Sequence, residues 1–274
     1  MTTRVEVPDG PSARVRWALT DSWTMTERAL AHWARQPWLV FMGIAFPLLI
    51  LAMFLYLFGG GMTVPGGGEY RDFIVPGVFA VTMFFGVEAT MTAVNADAAR
   101  GVTERFRSMP MAPSATVAGR ALADLLFSLL LLVILIGAGL LVGWDWHSGL
   151  GNAVHAFALL VLLRFAFIWV GIYLGLLVKG PEGIATVQVL VWPFVALSSV
   201  FTSPEHMPNW LGTIAEWNPV STTLHASREL FGNPGATGSS WAAEHAELLA
   251  LAWPLAIIAV FFPLSVRAYR ALGY

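Results

Sequence analysis

The chain has 274 residues, 57% of them hydrophobic and only 12% charged, with a mean hydropathy of +0.69. A soluble domain of this size carries about a quarter charged residues, and the formal net charge of -2 gives no bulk electrostatic reason to bind nucleic acid. There is no cysteine, which excludes disulfides, thiolate metal sites and cysteine nucleophiles. What remains is an integral membrane protein, because several apolar runs approach the roughly 20 residues that a helix needs to cross a bilayer.

Residues 1–13 contain Pro8, Asp9, Gly10 and Pro11 and read as a tail. No cleavable signal peptide is expected, since the first apolar run is preceded by some thirty polar residues. From Arg14 to Arg35 the pattern predicts an amphipathic helix. Val15, Leu19, Trp23, Thr26, Leu30 and Trp33 share a stripe, while Arg16, Asp21, Glu27, Arg28 and Arg35 fall elsewhere. Tryptophan and arginine on such a helix suit the headgroup layer, so residues 1–36 are expected to form a cytoplasmic tail and an interfacial helix.

Residues 37–274 are expected to form one transmembrane domain of six spans: about 37–58, 73–94, 121–142, 153–178, 184–201 and 248–266. The expected fold is thus an all-α integral membrane protein. Pro47 and Pro193 remove backbone hydrogen bonds within spans one and five and predict kinks. Lys179–Gly183 reads as a tight turn between spans four and five.

A polar island, residues 100–120, separates spans two and three. It carries Arg100, Arg105, Arg107 and Arg120 against the single acid Glu104. Val102, Phe106 and Met109 recur at helical spacing, Pro110 and Pro113 stop that helix, and Ser114 is the expected N-cap of the next. With both termini inside, twelve basic residues fall on the inner side, and only Arg71 and Arg228 on the outer. The positive-inside rule then places both ends and this island in the cytoplasm. The plain reading of the island is a loop that fixes topology. The sharper one is a docking element, since Phe106 and Met109 are apolar residues on a cytoplasmic surface.

Residues 202–243, between spans five and six, are too many for a simple turn. Ser203-Pro204 and Asn218-Pro219 each read as an N-cap followed by proline at the first helical position. Trp210, Leu211, Ile214 and Trp217 mark one apolar face. Val220, Leu224 and Leu230 mark a second, with Gly232 as the stop. Two short helices at the outer interface fit this, either sealing the outer face or forming a structured loop.

The sequence contains no phosphate-binding loop, no H-E-x-x-H and no G-x-S-x-G, and its histidines have no metal-ligand spacing. Four charges lie in or near spans: Glu88 and Arg164 well inside, Asp97 and Asp124 near inner ends. Intramembrane charge by default faces a partner or a water-filled cavity. The depths of Glu88 and Arg164 differ by about 6 Å at roughly 1.5 Å per residue, so a structural ion pair between them is expected ahead of a substrate contact. Asp97 and Asp124 are expected to pair with Arg100 or Arg120.

The island sequence G-V-T-E-R-F-R-S-M-P-M-A-P resembles the G-T-x-E-R-L-x-x-x-P-x-x motif of type 2 ABC transporter permeases, with Val102 and Phe106 replacing the usual Thr and Leu. The daunorubicin-resistance-like branch of actinobacterial exporters is similar. The following Gly119-Arg120-Ala121-Leu122-Ala123-Asp124 resembles the family's G-R-x-L-A-D, and Asn218-Pro219-Val220 its N-P motif before the last span. The resemblance covers nearly the whole chain. It implies a permease subunit, in a homodimer or beside a sister permease, served by two ATPase subunits that hold the Mg-ATP, with no cofactor on this chain. It implies export of a hydrophobic drug, natural product or lipid across a bacterial plasma membrane. It also implies that Gly101, Thr103, Glu104, Arg105, Phe106, Arg107 and Met109 form the ATPase-coupling loop. The competing reading is a proton-coupled secondary transporter using Glu88, Asp97 and Asp124, against which stands the lack of any internal repeat. An intramembrane enzyme has no visible catalytic constellation.

Overall fold

The computed structural model describes residues 10–59, 61, 64, 67–99, 113–178, 180–204 and 207–271. Every regular element among them is helical. Helix α1 spans Pro11–Arg35. Helix α2 runs Pro37–Met53 and continues as one π-helical stretch, Phe54–Phe58. Helices α3 (Tyr70–Ala99), α4 (Pro113–Leu141) and α5 (Leu150–Leu177) are the long central elements. The shorter α6 (Gly180–Ala196) follows. Helices α7 (Asn209–Trp217), α8 (Pro219–Phe231) and the single-turn α9 (Trp241–Glu244) precede the last long helix, α10 (Ala246–Ala271).

Five helical segments among the described residues are long and apolar enough to cross a membrane: 37–58, 70–99, 115–141, 150–177 and 246–271. This is a multi-pass membrane protein. The expected fifth span differs, because α6 has 17 residues and stops at Ala196 rather than Phe201. At 1.5 Å per residue it reaches about 26 Å, short of a hydrocarbon core of about 30 Å. The stop has a local cause. The Asn218 amide donates to the carbonyls of Phe194 (2.9 Å) and Leu197 (3.5 Å), and the Ser198 hydroxyl to Val195 O. Carbonyls that one more helical turn would satisfy are thus taken by side chains.

Helix α3 is the centre of the molecule, with Ile74, Val75, Phe79, Ala80 and Met83 in its fully buried stretch. Against it lies α5, brought close by two glycines four residues apart. A Cβ on Gly171 would sit 2.7 Å from Val87 O, and one on Gly175 2.6 Å from Met91 O. Apolar tails solvate leucine as well as any helix does, so close backbone approach is what favours such a pair in lipid. Helix α10 joins α5 through a hydrogen bond from Ser265 to Trp169 O (3.0 Å) and the T-shaped Trp169–Phe262 ring pair.

Helix α1 lies on the first half of α4. Thr26 is buried and donates to Gly119 O at 3.1 Å, and the Trp33 and Phe127 rings meet at 5.0 Å. Only part of the expected stripe is covered, since Leu19 and Trp23 remain exposed. The crossing is set by the glycine: a Cβ on Gly119 would strike Ser22 O and Met25 Cβ, each at 2.5 Å. Helix α2 leaves Trp38, Phe41, Phe46 and Leu49 uncovered and forms the lightly packed flank.

Candidate functional sites

The first site is a polar ladder where the last part of α3, the first half of α4 and the second half of α5 meet. Arg120 on α4 approaches Asp97 of α3 at 4.0 Å and Asp124, one turn on, at 3.1 Å. The Ser128 hydroxyl donates to Asp124 O (2.7 Å) and accepts from Arg164 Nε of α5 (2.7 Å). Arg164 Nη2 then donates to Thr90 of α3 at 3.0 Å. Asn95 of α3 donates to the carbonyls of Gly175 and Val178, which lie at the end of α5. Three spans are thereby cross-linked by side chains, each a group that the bilayer leaves no water to satisfy.

The ladder corrects the expected Glu88–Arg164 pair. Arg164 lies over Gly86, where a Cβ would be 2.4 Å from its guanidinium carbon, and bonds to Thr90. Residue 88 lies two positions from both, about 200° around the helix at 100° per residue. Glu88 therefore points away from the arginine. It is half-buried, and its Oε1 has no solvent and no hydrogen-bond partner. Glu88 and Arg164 lie at similar depth but face different ways around α3. Asp97 and Asp124, for their part, both meet Arg120.

Residues 100–112 lie outside the described residues, and with them Gly101, Thr103, Glu104, Arg105, Phe106, Arg107 and Met109. The segment's two ends are placed: it leaves α3 at Ala99 and enters α4 at Pro113. Ser114, expected as an N-cap, falls inside the first turn of α4.

The second site is the hairpin of α7 and α8. Asn218 caps α8 as expected, accepting from Val220 N at 2.9 Å, with Pro219 at the first helical position. Ser203-Pro204 does not start α7, which begins at Asn209 behind Pro208. The face carrying Trp210, Ile214 and Trp217 is exposed, and Gly212 and Ala215 pack inward instead. Small residues let α7 approach the body closely, as the 2.8 Å from a Cβ on Gly212 to Pro204 O indicates.

Sequence reasoning counted Arg228 only as an outer positive charge. The structure buries it completely. Its Nη1 donates to Ser199 O (3.1 Å), its Nη2 to Phe73 O (2.9 Å), and the guanidinium sits 3.9 Å over the Phe73 ring. Burial pulls its pKa down to about 9, so the cation persists at neutral pH, held by carbonyl dipoles and a ring face. It joins α8, the start of α3 and the turn after α6. The glycine pair of α5 was also missed, although Gly171-x-x-x-Gly175 in an apolar run is a legible signal.

An all-helical, multi-pass body, with polar groups that tie its spans together, is that of an integral membrane protein. The match to known sequences is specific: residues 20–231 fit the family of ABC-2 type transporters, and the chain belongs to that family. It is 34% identical over 228 residues to the "Daunorubicin resistance ABC transporter permease protein DrrB1" of Streptomyces coeruleorubidus, covering 83% of this chain and 78% of that one. It is 26% identical to the "Putative transport permease ycf38" of Porphyra purpurea, over 76% of this chain and 73% of the relative. The protein of the same name from Pyropia yezoensis is also 26% identical, over 76% and 72%. The chain is a permease subunit, and its family implies pairing with an ABC ATPase.

Proposed function

We propose that this chain is the membrane subunit of an ATP-driven exporter, moving a hydrophobic drug, natural product or lipid out of a bacterial cell. Two copies, or one copy and a sister permease, work with two ATPase subunits that bind Mg-ATP. Six segments span the plasma membrane, α6 with the turn after it serving as the fifth, and both termini are cytoplasmic. The relative's name carries the drug-resistance part of this reading. The observation that carries the mechanical part is the ladder below residues 100–112. Asp97 stands two residues before the end of α3, and Arg120 seven after the start of α4. A push on the intervening segment then acts on α3 and α4 together and, through Ser128 and Arg164, on α5.

Phe106 is the proposed anchor on the ATPase, with Glu104, Arg105 and Arg107 as its polar surround, because interfaces draw their energy from a few buried aromatic and arginine contacts. Phe106→Ala should lose about 1–3 kcal/mol of docking energy, and Glu104→Arg should add repulsion among its basic neighbours. Both variants should insert normally and lose substrate-stimulated ATP hydrolysis and transport in vesicles. Variants that copurify with the ATPase and export at the wild-type rate would reduce this segment to a topology marker.

A further inference from the structure

An apolar crevice of about 310 Å³ opens where α1, α2 and α4 meet. It is lined by Trp33 and Ala34 of α1, Pro37 and Val40 of α2, and Phe127 and Leu130 of α4. The Phe127 ring stands between the other two helices: it meets the Trp33 ring at 5.0 Å, and a Cβ on Gly43 would lie 3.1 Å from its tip. Apart from the Trp33 indole nitrogen, every lining side-chain atom is carbon. Water in a cavity needs several polar partners, and these side chains do not offer them. The segments 37–58 and 115–141, which supply four of the six lining residues, are each long and apolar enough to span a membrane. Leu130 is half exposed, as are Trp38 and Phe41, whose rings stack on α2 next to the crevice. The crevice therefore opens onto hydrocarbon.

The charge beside it has one sign. The last turn of α1 carries His32 and Arg35, and no acid occurs in the sequence between Glu27 and Glu69. The nearest acid on α4, Asp124, is buried and taken by Arg120. The His32 ring shares a 3.1 Å hydrogen bond with the Gln36 amide nitrogen. Arg35 is exposed and makes no ion pair among the described residues. It directly follows Ala34, so its long side chain reaches a headgroup whose tail lies against the crevice wall. Basic pockets between membrane helices recruit anionic lipid headgroups. The volume is at the lower end of the range for drug-sized ligands, which suits a single chain. We infer that the crevice binds one acyl chain of an anionic phospholipid, with the phosphate on Arg35, and that this lipid is a resident part of the α1–α2–α4 junction. An apolar tail gains little by leaving other tails, so selection rests on the headgroup charge and on the fit of the walls. The inference does not rest on the exporter reading.

The probes are dioleoyl phosphatidylglycerol and dioleoyl phosphatidylcholine, which share their tails and differ in net charge, with glycerol phosphate as a headgroup that has no tail. Each is titrated onto the purified full-length chain in mild detergent, and native mass spectrometry counts what stays bound. The wild type should retain one phosphatidylglycerol about fivefold more tightly than phosphatidylcholine, roughly what one arginine near a membrane surface is worth. Glycerol phosphate should not bind. Arg35→Gln should keep tail binding and bring the two lipids within about twofold of each other. Ala34→Phe, which fills the crevice from an exposed position, should weaken both lipids about tenfold. Leu130→Phe fills the same space from α4 and serves if Ala34→Phe gives no folded protein. Retention unchanged by either filling variant, no preference for phosphatidylglycerol in the wild type, or a preference that survives Arg35→Gln would overturn the inference. Binding of glycerol phosphate as tight as that of the lipid would reduce the site to a phosphate site. A disulfide between two copies of Val40→Cys in native membranes would give the crevice to a second copy instead. Release of the bound lipid on ATP turnover by the permease–ATPase complex would make it cargo rather than a resident.

Discussion

At the scale of single residues, two buried arginines show how cations are kept in an apolar body without an acid in direct contact. Arg164 relies on two hydroxyls and Arg228 on three main-chain carbonyls and a ring. In each case a planar fork reaches groups that a single ammonium cannot reach together. Arg164→Lys should destabilise the purified permease by about 2–3 kcal/mol, since hydrogen bonds to charged groups are worth roughly 1.5–3 kcal/mol each. Ser128→Ala should cost less, because Thr90 still holds the guanidinium. Thermal unfolding in detergent reads both. If Glu88 and Arg164 do not meet, neutralising both should cost the sum of the two single losses, with a coupling within about 0.5 kcal/mol. A double variant that recovers the losses would place the two side chains in contact after all.

At the scale of elements, the α3–α5 pair and the α6–α8 junction make different demands. Gly171 and Gly175 set how near α5 comes to α3, and the carbonyls of Val87 and Met91 fill the space a side chain would take. Gly175→Leu should force the helices apart and cost about 3 kcal/mol or more, at the upper end for overpacking, read as a fall in folded yield on size exclusion. Gly137, with open space around it, should accept alanine without loss. At the other junction, Asn218 does two jobs: its Oδ1 caps α8 and its Nδ2 ends α6. Asn218→Asp keeps the first and loses the second, whereas Asn218→Ala loses both and should cost about 1–2 kcal/mol. If the two variants unfold at the same temperature, the cap contributes nothing measurable and the tie to Phe194 carries the effect.

At the scale of the whole molecule, the proposed orientation has a direct test. The orientation proposed from the basic asymmetry would have position 67 outside and position 108 inside. The chain has no cysteine of its own, so single cysteines at those two positions can be labelled cleanly. An impermeant thiol reagent on intact cells should modify the cysteine replacing Gly67 and miss the one replacing Ser108, and the reverse pattern would invert the topology. The lightly packed flank of α2 and the exposed face of α6, with Val189, Leu190 and Trp192, are uncovered in the single chain. Surfaces of this kind meet lipid or another subunit.

Composition and the lengths of apolar runs were enough to establish an all-helical membrane protein, because a bilayer permits so few backbone solutions. The island of arginines with its E-R-F-R core pointed to the permease family before any fold was known, since that signal is local in sequence. The cap at Asn218-Pro219 was legible for the same reason. What lay beyond the sequence was direction around a helix and reach between helices. Glu88 and Arg164 matched in depth, yet the 100° step per residue turns them to opposite sides of α3. The fifth span looked complete as a run of apolar residues, but an amide 24 positions away takes the carbonyl of Phe194 and ends the helix early. Arg228 looked like an outer charge until the ends of α3 and α6 closed over it. Hydropathy reports what each residue prefers; only packing decides which neighbours satisfy it.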